Sequence, residues 1–327
     1  LEIQQNIPLR SHTTLGVGGP AEFFVVAETD IDAREALEFA SEEDHQVTII
    51  GSGSNMLVSD TGINGLVLLM QTKGIEIVGE NQTSAVISVA AGEQWDDVVA
   101  WAVGHGFWGI ENMSAIPGTM GAFAVGNIGA YGQDASQVVA HVEALNIHTQ
   151  EAKTFSAEDC GFAYRSSIFN TSERGQYLIT TISMTLRKTA HPNLSYAGLN
   201  EILNERSSLP QIRDAVISIR ASKLPDPKTI GNAGSFFKNP TVNGVKQSAA
   251  ALIEQAGLKG FTLGAAQVSP MHALVITNTG SAKAIEVFAL AKHVRRQVYA
   301  KTGIELLPEP IFLGFSNAEL ETFYDLT

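Results

Sequence analysis

The sequence predicts an α+β fold, and three observations carry that prediction. Its opening segments alternate strand and helix, the middle breaks into short β segments parted by turn residues, and no βαβ unit repeats along the chain. In order, AEFFVVA (21–27) reads as a strand, Asp30 is placed to cap a helix through EALEFASEED, and VTII (47–50) is again a strand. GLVLLM, IEIVGE and SAVISVAAG then read as β segments, QWDDVVAWAVGHG as an amphipathic helix, and VEALNIHT and YLITTISMTLRK as further strands. A polar, Pro-containing connection follows at about 188–210. Beyond it come the helix PQIRDAVISIRASK, a glycine loop, the helix VKQSAAALIEQAG, the strand ALVITN and a long helix over 281–301, which together read as a second α+β domain. There are no internal repeats or low-complexity tracts.

The 327 residues, 44% hydrophobic and 17% charged, suffice for two packed cores. No apolar run reaches the roughly 18–20 residues of a membrane span, and LEIQQNIPLR reads as neither a signal sequence nor a lipidation site. Cys160 is the only cysteine, so an intramolecular disulfide and a thiolate metal cluster are excluded; it reads as a buried small hydrophobe in a protein of a reducing, cytoplasmic compartment. No metal site is expected. A net charge of −13 argues against nucleic-acid binding, which needs a basic face to displace counterions, so an anionic ligand must be held locally. The stretch for that is 220–246, where Arg220, Lys223, Lys228, Lys238 and Lys246 stand against the single acid Asp226; Lys228 and Lys246 read as solvated loop lysines.

Three glycine-rich loops punctuate the chain. GSGSNML (51–57) follows a strand and can aim backbone N–H groups at a phosphate, but no Gly-Lys-Ser/Thr follows, the GxGxxG fingerprint is incomplete, and an ordinary tight turn reads equally well. GVGGPA (16–21) precedes a strand and fails the same test. AIPGTMGAFAVGNIGAYG (115–132), with five glycines and almost no charge, suits close approach of backbone to a planar ligand; the alternative is a buried crossing of two chain segments. In GNAGSFFKNP (231–240), Ser235 is either a turn residue or a proton carrier screened from water by two phenylalanines.

Taken together, TTLGVGGPAEFFV, GSGSNML, IPGTMGAFAVGNIGAYG, FAYRSSIF, RASKLPDPK, GNAGSFFKNP and LLPEP resemble, in order and over nearly the whole chain, the UDP-N-acetylenolpyruvoylglucosamine reductase family. LSYAGL (194–199) resembles the type that carries a tyrosine loop over the substrate. The resemblance implies a vanillyl-alcohol-oxidase-type FAD-binding domain over 1–188, a connection with the tyrosine loop over 189–210, a smaller substrate domain over 211–310, and a C-terminal return to the first domain over 311–327. It implies non-covalent FAD, NADPH as reductant, a UDP-sugar substrate, a cytoplasmic monomer without membrane insertion, and a place in peptidoglycan precursor synthesis. By the same resemblance, Ser235 matches the proton donor, and Arg165 and Glu309 its two charged companions. Tyr131, Tyr196, Lys223 and Asn239 match positions that hold the enolpyruvyl group or the UDP moiety. Gly51, Ser52, Gly53, Ser54 and Asn55 match the pyrophosphate loop; Pro117, Gly118, Gly121, Asn127 and Gly129 match the lining of the isoalloxazine; and Arg220, grouped with them, is assigned to an anionic phosphate or carboxylate.

Phe123, Ala124 and Gly126 depart from the family's small or hydroxyl residue, proline and glutamine, which leaves the contacts to the flavin ring open. The stretch 239–249 is shorter than in some members, which does the same for the uridine end. Two other readings stay open: a nucleotide-sugar-binding module without turnover, disfavoured by Arg165, Ser235 and Glu309 occurring together, and a flavin oxidase of the same fold, disfavoured by the lack of a histidine flavin tether in the 51–55 loop.

Overall fold

The computed structural model describes residues 1–326 and separates into two compact units. The first comprises Leu1–Ile3, Phe24–Ser52 and Gly65–Arg220; the second comprises Gln4–Phe23, Gly53–Asn64 and Ala221–Thr327. The chain therefore passes between them several times, and loop 51–55 holds one of the crossings.

The first unit is built on a five-stranded antiparallel sheet ordered Ala152–Ser156, Val139–Asn146, Tyr177–Arg187, Ser84–Ala90, Ile75–Glu80. Along Tyr177–Arg187 the alternation of Ile182, Met184 and Leu186, all buried, with half-buried or exposed neighbours is the period-two pattern of a sheet with one covered face. Trp95–Gly104 and the short helix Met120–Val125 are the helices nearest that sheet in sequence, and Trp95 stacks on Phe123 with ring centroids 3.9 Å apart. The helix Asp30–Glu42 is capped by Thr29 rather than Asp30. The Thr29 hydroxyl accepts from the Asp32 N–H while the Asp32 carboxylate takes the Thr29 N–H, so Asp30 is the first helical residue. The polar connection contains a helical turn, Ala197–Asn200, whose buried Leu199 packs with Trp108, Leu209, Ile212 and Val216; the last three lie on the helix Leu209–Lys223.

In the second unit four short antiparallel strands run in the order Gly231–Ser235, Val275–Asn278, Ala266–Val268, Thr262–Leu263. The helix Ala284–Thr302 contributes Val287, Leu290, Ala291, Val294 and Val298 to a core that also holds Phe236, Phe237, Phe288 and Phe323. Ile311–Leu313 pairs in parallel with Met56–Val58. The helix expected over VKQSAAALIEQAG begins only at Ala249, where Ser248 caps it. Ahead of it, Val245–Lys246 turns back on Thr241–Val242 through Asn243 (φ 51°) and Gly244 (φ 78°), a two-residue hairpin with both central residues left-handed, as Asn-Gly favours. Among the described residues no helix is long and apolar enough to cross a membrane.

Candidate active site

Strand Val47–Ile50 delivers the chain into loop 51–55, and the loop leads into another strand, Met56–Val58, not the helix of a nucleotide fingerprint. Gly53 has φ 65° and lies against the carbonyl of His12, leaving no room for a β-carbon, while Thr14 donates its N–H to the Gly53 carbonyl at 3.1 Å. Gly51 is as tightly set against the Thr119 side chain. Within this loop the Ser52 hydroxyl is buried and meets no hydrogen-bond partner. An unmet buried hydroxyl costs about 1–3 kcal/mol, so a tight loop of backbone amides with an unsatisfied Oγ suits a group bringing oxygens of its own. The residues fit the pyrophosphate of FAD. Asn55 is spoken for in part, its Nδ2 donating to the Glu309 carbonyl at 3.3 Å.

Segment 115–132 is pinned at several points. Ala115, left-handed at φ 58°, gives its N–H to Asp96 Oδ1 at 2.6 Å, and Asp96 in turn takes a bidentate pair from Arg213 at 2.6 and 2.9 Å. Burial pushes the Asp96 carboxyl up, but the Arg213 bonds, the Ala115 N–H and the charge of Arg220 outweigh it and leave the pKa below the ordinary value. The Gly118 carbonyl accepts from Trp95, and Met120 and Gly121 donate to Glu93 and Ala91. Phe123, one of the departures from the family pattern, is buried against Trp95 and serves the core of this unit. Asn127, at φ 43°, spends its amide on the fold: Oδ1 accepts from Ser136 N at 3.0 Å and Nδ2 donates to Ala163 O at 2.9 Å. Gly129–Ala130 and Gln133–Asp134 form a tight hairpin with Tyr131 (φ 49°) and Gly132 (φ 87°) at its tip.

That Asn127 bond carries over to Arg165. Ala163 and Ser166 exchange backbone bonds around a two-residue turn, Tyr164–Arg165, and Arg165 sits at φ 53°, a position that usually falls to Gly or Asn. Ser167 Oγ ties the same turn to the Val125 carbonyl at 2.8 Å, and Asn170 Nδ2 donates to the Arg165 carbonyl at 3.2 Å. Held this way, a non-glycine residue in a sparsely populated region is the sort of strain that gathers at functional sites. The half-buried Arg220 hydrogen-bonds Tyr131; burial lowers its pKa, and Tyr131 and Asp96 oppose that. Tyr196 meets Tyr131 edge-on at 4.7 Å between ring centroids. Thus Tyr131, Tyr196 and Arg220 form one group within the first unit.

In the second unit, Ser235 is not a turn residue: it ends the strand Gly231–Ser235 and pairs with Val275. The pairing is irregular between Asn232 and Ser235, with Gly234 at φ 69° and its N–H held by Asn232 Oδ1 at 2.9 Å, an irregularity of the kind that re-aims a side chain. Phe236 and Phe237, next in line, are fully buried. Residues 307–309 lie antiparallel on this segment: Lys238 N donates to Leu307 O, Phe237 bridges Pro308, and Glu309 N donates to Phe236 O at 2.9 Å. Two distant motifs, GNAGSFFKNP and LLPEP, are thereby made neighbours through main chain alone. Asn239 Oδ1 accepts from Ala249 N at 2.9 Å, so its carbonyl serves the start of the helix Ala249–Gln255 and its amide N–H groups are what it can offer a ligand. Lys223 closes the helix Leu209–Lys223, and its charge reaches His272, whose pKa is lowered chiefly by burial. Cys160 is buried, which pushes its thiol up to about 11 and makes it unreactive.

The motifs did not point to Asp96, Glu111, Asn112 or Gln133. All four lie outside the glycine loops or at their rim, and only the folded pairing reveals what they hold.

The likeness to known proteins extends over most of the chain. A family model described as "FAD binding domain" matches residues 21–156, and one described as "UDP-N-acetylenolpyruvoylglucosamine reductase, C-terminal domain" matches 226–313. The UDP-N-acetylenolpyruvoylglucosamine reductase of Pseudomonas fluorescens is 38% identical, with 95% of this chain and 98% of that protein covered. The protein of the same name from Porphyromonas gingivalis is 40% identical, over 94% of this chain and 98% of its own length. Among solved structures, the reductase of that name from Thermus caldophilus superposes with a TM-score of 0.73 at 26% identity, covering 95% of this chain and 99% of that one. These matches and the mixed helices and strands bear out the expected α+β fold class with an FAD-binding domain and a second, smaller domain.

Proposed function

Since the chain belongs to the UDP-N-acetylenolpyruvoylglucosamine reductase family, we propose that it reduces the enolpyruvyl ether of UDP-N-acetylglucosamine to UDP-N-acetylmuramate, with NADPH as reductant, as a cytoplasmic monomer of the tyrosine-loop type. The proposed organisation keeps a flavin domain over 1–188, the tyrosine connection over 189–210, a substrate domain over 211–310 and a C-terminal return over 311–327. The observation that carries the reading is the main-chain pairing of 307–309 on 236–238, which ties the Glu309 backbone to the segment that begins at Ser235.

FAD, when bound through loop 51–55 and segment 115–132 with Arg220 near an anionic group, supplies the hydride that C3 of the enolpyruvyl group receives. The chain's own residues do the rest. Negative charge then develops at C2 and, by conjugation, on the carboxylate. Arg165 stabilises the carboxylate with charge-assisted hydrogen bonds, and Glu309, if it holds or shares a proton, donates to it; a preorganised donor of this kind is worth about 3 kcal/mol of barrier. Ser235 gives its hydroxyl proton to C2, and Lys223 stabilises the alkoxide left behind. Phe236 and Phe237 keep bulk water from that proton. Tyr131, Tyr196 and Asn239 hold the enolpyruvyl and UDP parts.

The test is spectroscopic. The purified protein should be yellow, bleach anaerobically with NADPH and recolour on addition of the enolpyruvyl substrate, and acid precipitation should release the colour into the supernatant. A colourless protein, one that NADPH does not bleach, or colour retained in the acid pellet refutes the reading.

A further inference from the structure

Asn112 lies in the helical turn Glu111–Met113, fully buried, and its one side-chain amide reaches two separate stretches of chain. Nδ2 donates to the Tyr131 carbonyl at 2.7 Å and to the Asn193 carbonyl at 2.7 Å. These use both of its hydrogens. Oδ1 is buried without a partner, so the side chain is held for its donors and not for its carbonyl. The Asn112 N–H donates to Gln133 Oε1 at 2.9 Å; Gln133 Nε2 donates to Glu111 Oε1 at 3.1 Å, and Gly109 N to Glu111 Oε2 at 2.7 Å. The turn therefore grips both sides of the Tyr131–Gly132 hairpin tip.

A reciprocal bond closes the arrangement. Asn193 Nδ2 donates to the Gly132 carbonyl at 2.9 Å, and its Oδ1 accepts from Ser195 N and Oγ at 3.1 and 2.7 Å. At Gly132, φ 87°, a β-carbon would strike Ser195 Oγ, so the contact of the two stretches depends on glycine there. The next residue, Tyr196, then stands edge-on to Tyr131. Tyr196 is more than a third exposed, and its segment has few buried anchors until Leu199. We propose that Asn112 is a positioning residue for the substrate half-site: the two N–H donors of its amide dock segment 193–196 on the Tyr131 hairpin and so set the affinity for the diphosphate-sugar substrate without touching it. This inference rests on the reductase reading for Tyr131 and Tyr196.

Asn112→Asp tests it, because the side chain keeps its size while its two donors are lost, and even a protonated carboxyl can serve only one of the two carbonyls. In the folded, flavin-loaded variant the KM for the enolpyruvyl substrate should rise roughly tenfold, as loss of one or two hydrogen bonds allows, while flavin reduction by NADPH in stopped flow stays within about twofold of wild type on the same scale. Trypsin should cut faster at Lys188 or Arg206, which flank the segment. Asn193→Ala, at a partly exposed position, removes the reciprocal bond and should shift KM and proteolysis in the same sense; it decides the matter if Asn112→Asp does not fold. Unchanged KM and unchanged proteolysis overturn the inference, as does a loss of flavin reduction in proportion to turnover. A wild-type protein with no turnover would instead sink the reductase reading, and the trypsin comparison would still test the docking.

Discussion

The two regions that hold the proposed catalytic groups are built by different means. In the second unit, Ser235 and the backbone of Glu309 are set by strand pairing: Ser235 against Val275, and Glu309 N on Phe236 O. In the first unit, Arg165, Tyr131 and Tyr196 are set by side-chain amides and carboxylates acting on loop backbone, with Asn127 holding the Arg165 turn, Asn112 the Tyr131 hairpin and Asp96 the start of segment 115–132. Main-chain ladders do not depend on which side chains they carry. Loops held by buried side-chain bonds do, and each such bond is a place where one substitution reaches the site from a distance. The proposed proton donor, Ser235, should therefore be removable without disturbing its surroundings, whereas Arg165, proposed to bind the carboxylate, should be sensitive to residues that would never meet substrate.

The largest effect tests the first half of that contrast. Ser235→Ala should leave FAD content, flavin reduction by NADPH and thermal stability close to wild type, because the strand that carries it is unaltered. Turnover should fall by about 10²–10⁴, the range for loss of a positioned general acid. Ser235→Cys should recover part of it, a thiol being a proton donor of similar size. Stopped-flow absorbance follows the reductive and oxidative halves separately, and near-normal reoxidation by the enolpyruvyl substrate in Ser235→Ala would sink the assignment.

A smaller effect tests the second half. Asn127→Ala removes the bonds to Ser136 N and Ala163 O and places a β-carbon residue with no polar group at φ 43°. The lost buried bonds and the backbone together should cost about 2–3 kcal/mol. The Arg165 turn should loosen with it, and turnover should drop roughly tenfold, about one step of 1.4 kcal/mol on the barrier. Asn127→Gly keeps the backbone comfortable and still lacks the bonds. If the side-chain contacts matter, it loses turnover nearly as much as alanine in urea-melt and steady-state assays; full activity in the glycine variant would mean that backbone conformation alone holds the turn.

The same contrast explains what was legible in the sequence. Strands such as Tyr177–Arg187 declare themselves by alternation, and the order of the motifs declares the family and most of the candidate residues. Local capping was nearly legible: Thr29-x-x-Asp32 is a capping-box spacing, and reading Asp30 as the cap missed by one residue. So was Asn243-Gly244, a hairpin signal overridden by the helical look of the residues after it. Ser235 as a strand end was not, because its partner strand lies forty residues on and pairing between distant strands leaves no local mark. Nor were Asn112, Asn127 and Asp96 as anchors. Asparagines and aspartates are common in loops for their own turn chemistry, and only the topology shows which carbonyls and N–H groups they meet.

The least of the expected effects concerns Asp96 and its pH dependence. With its folded pKa below the ordinary aspartate value of about 3.9, the carboxylate contributes stability that is fully present above that pH and is lost as pH falls through the folded pKa. Removing the guanidinium in Arg213→Ala leaves burial, the strongest influence on Asp96, opposed only by the Ala115 N–H and the charge of Arg220. The folded pKa should then rise relative to wild type, and the stability that the carboxylate contributes above the unfolded value should shrink with it. Because the pair is partly exposed, with side-chain exposures of 16% for Arg213 and 37% for Asp96, the cost at pH 7 should be only about 1 kcal/mol. Thermal melts of wild type and Arg213→Ala from pH 7 down to about pH 2 should therefore keep their gap to about pH 4 and converge below it, as the pH falls through the wild-type folded pKa. A constant gap would mean that the arginine stem packs rather than pairs, and that Ala115 is held by the Asp96 hydrogen bond with no help from the charge behind it.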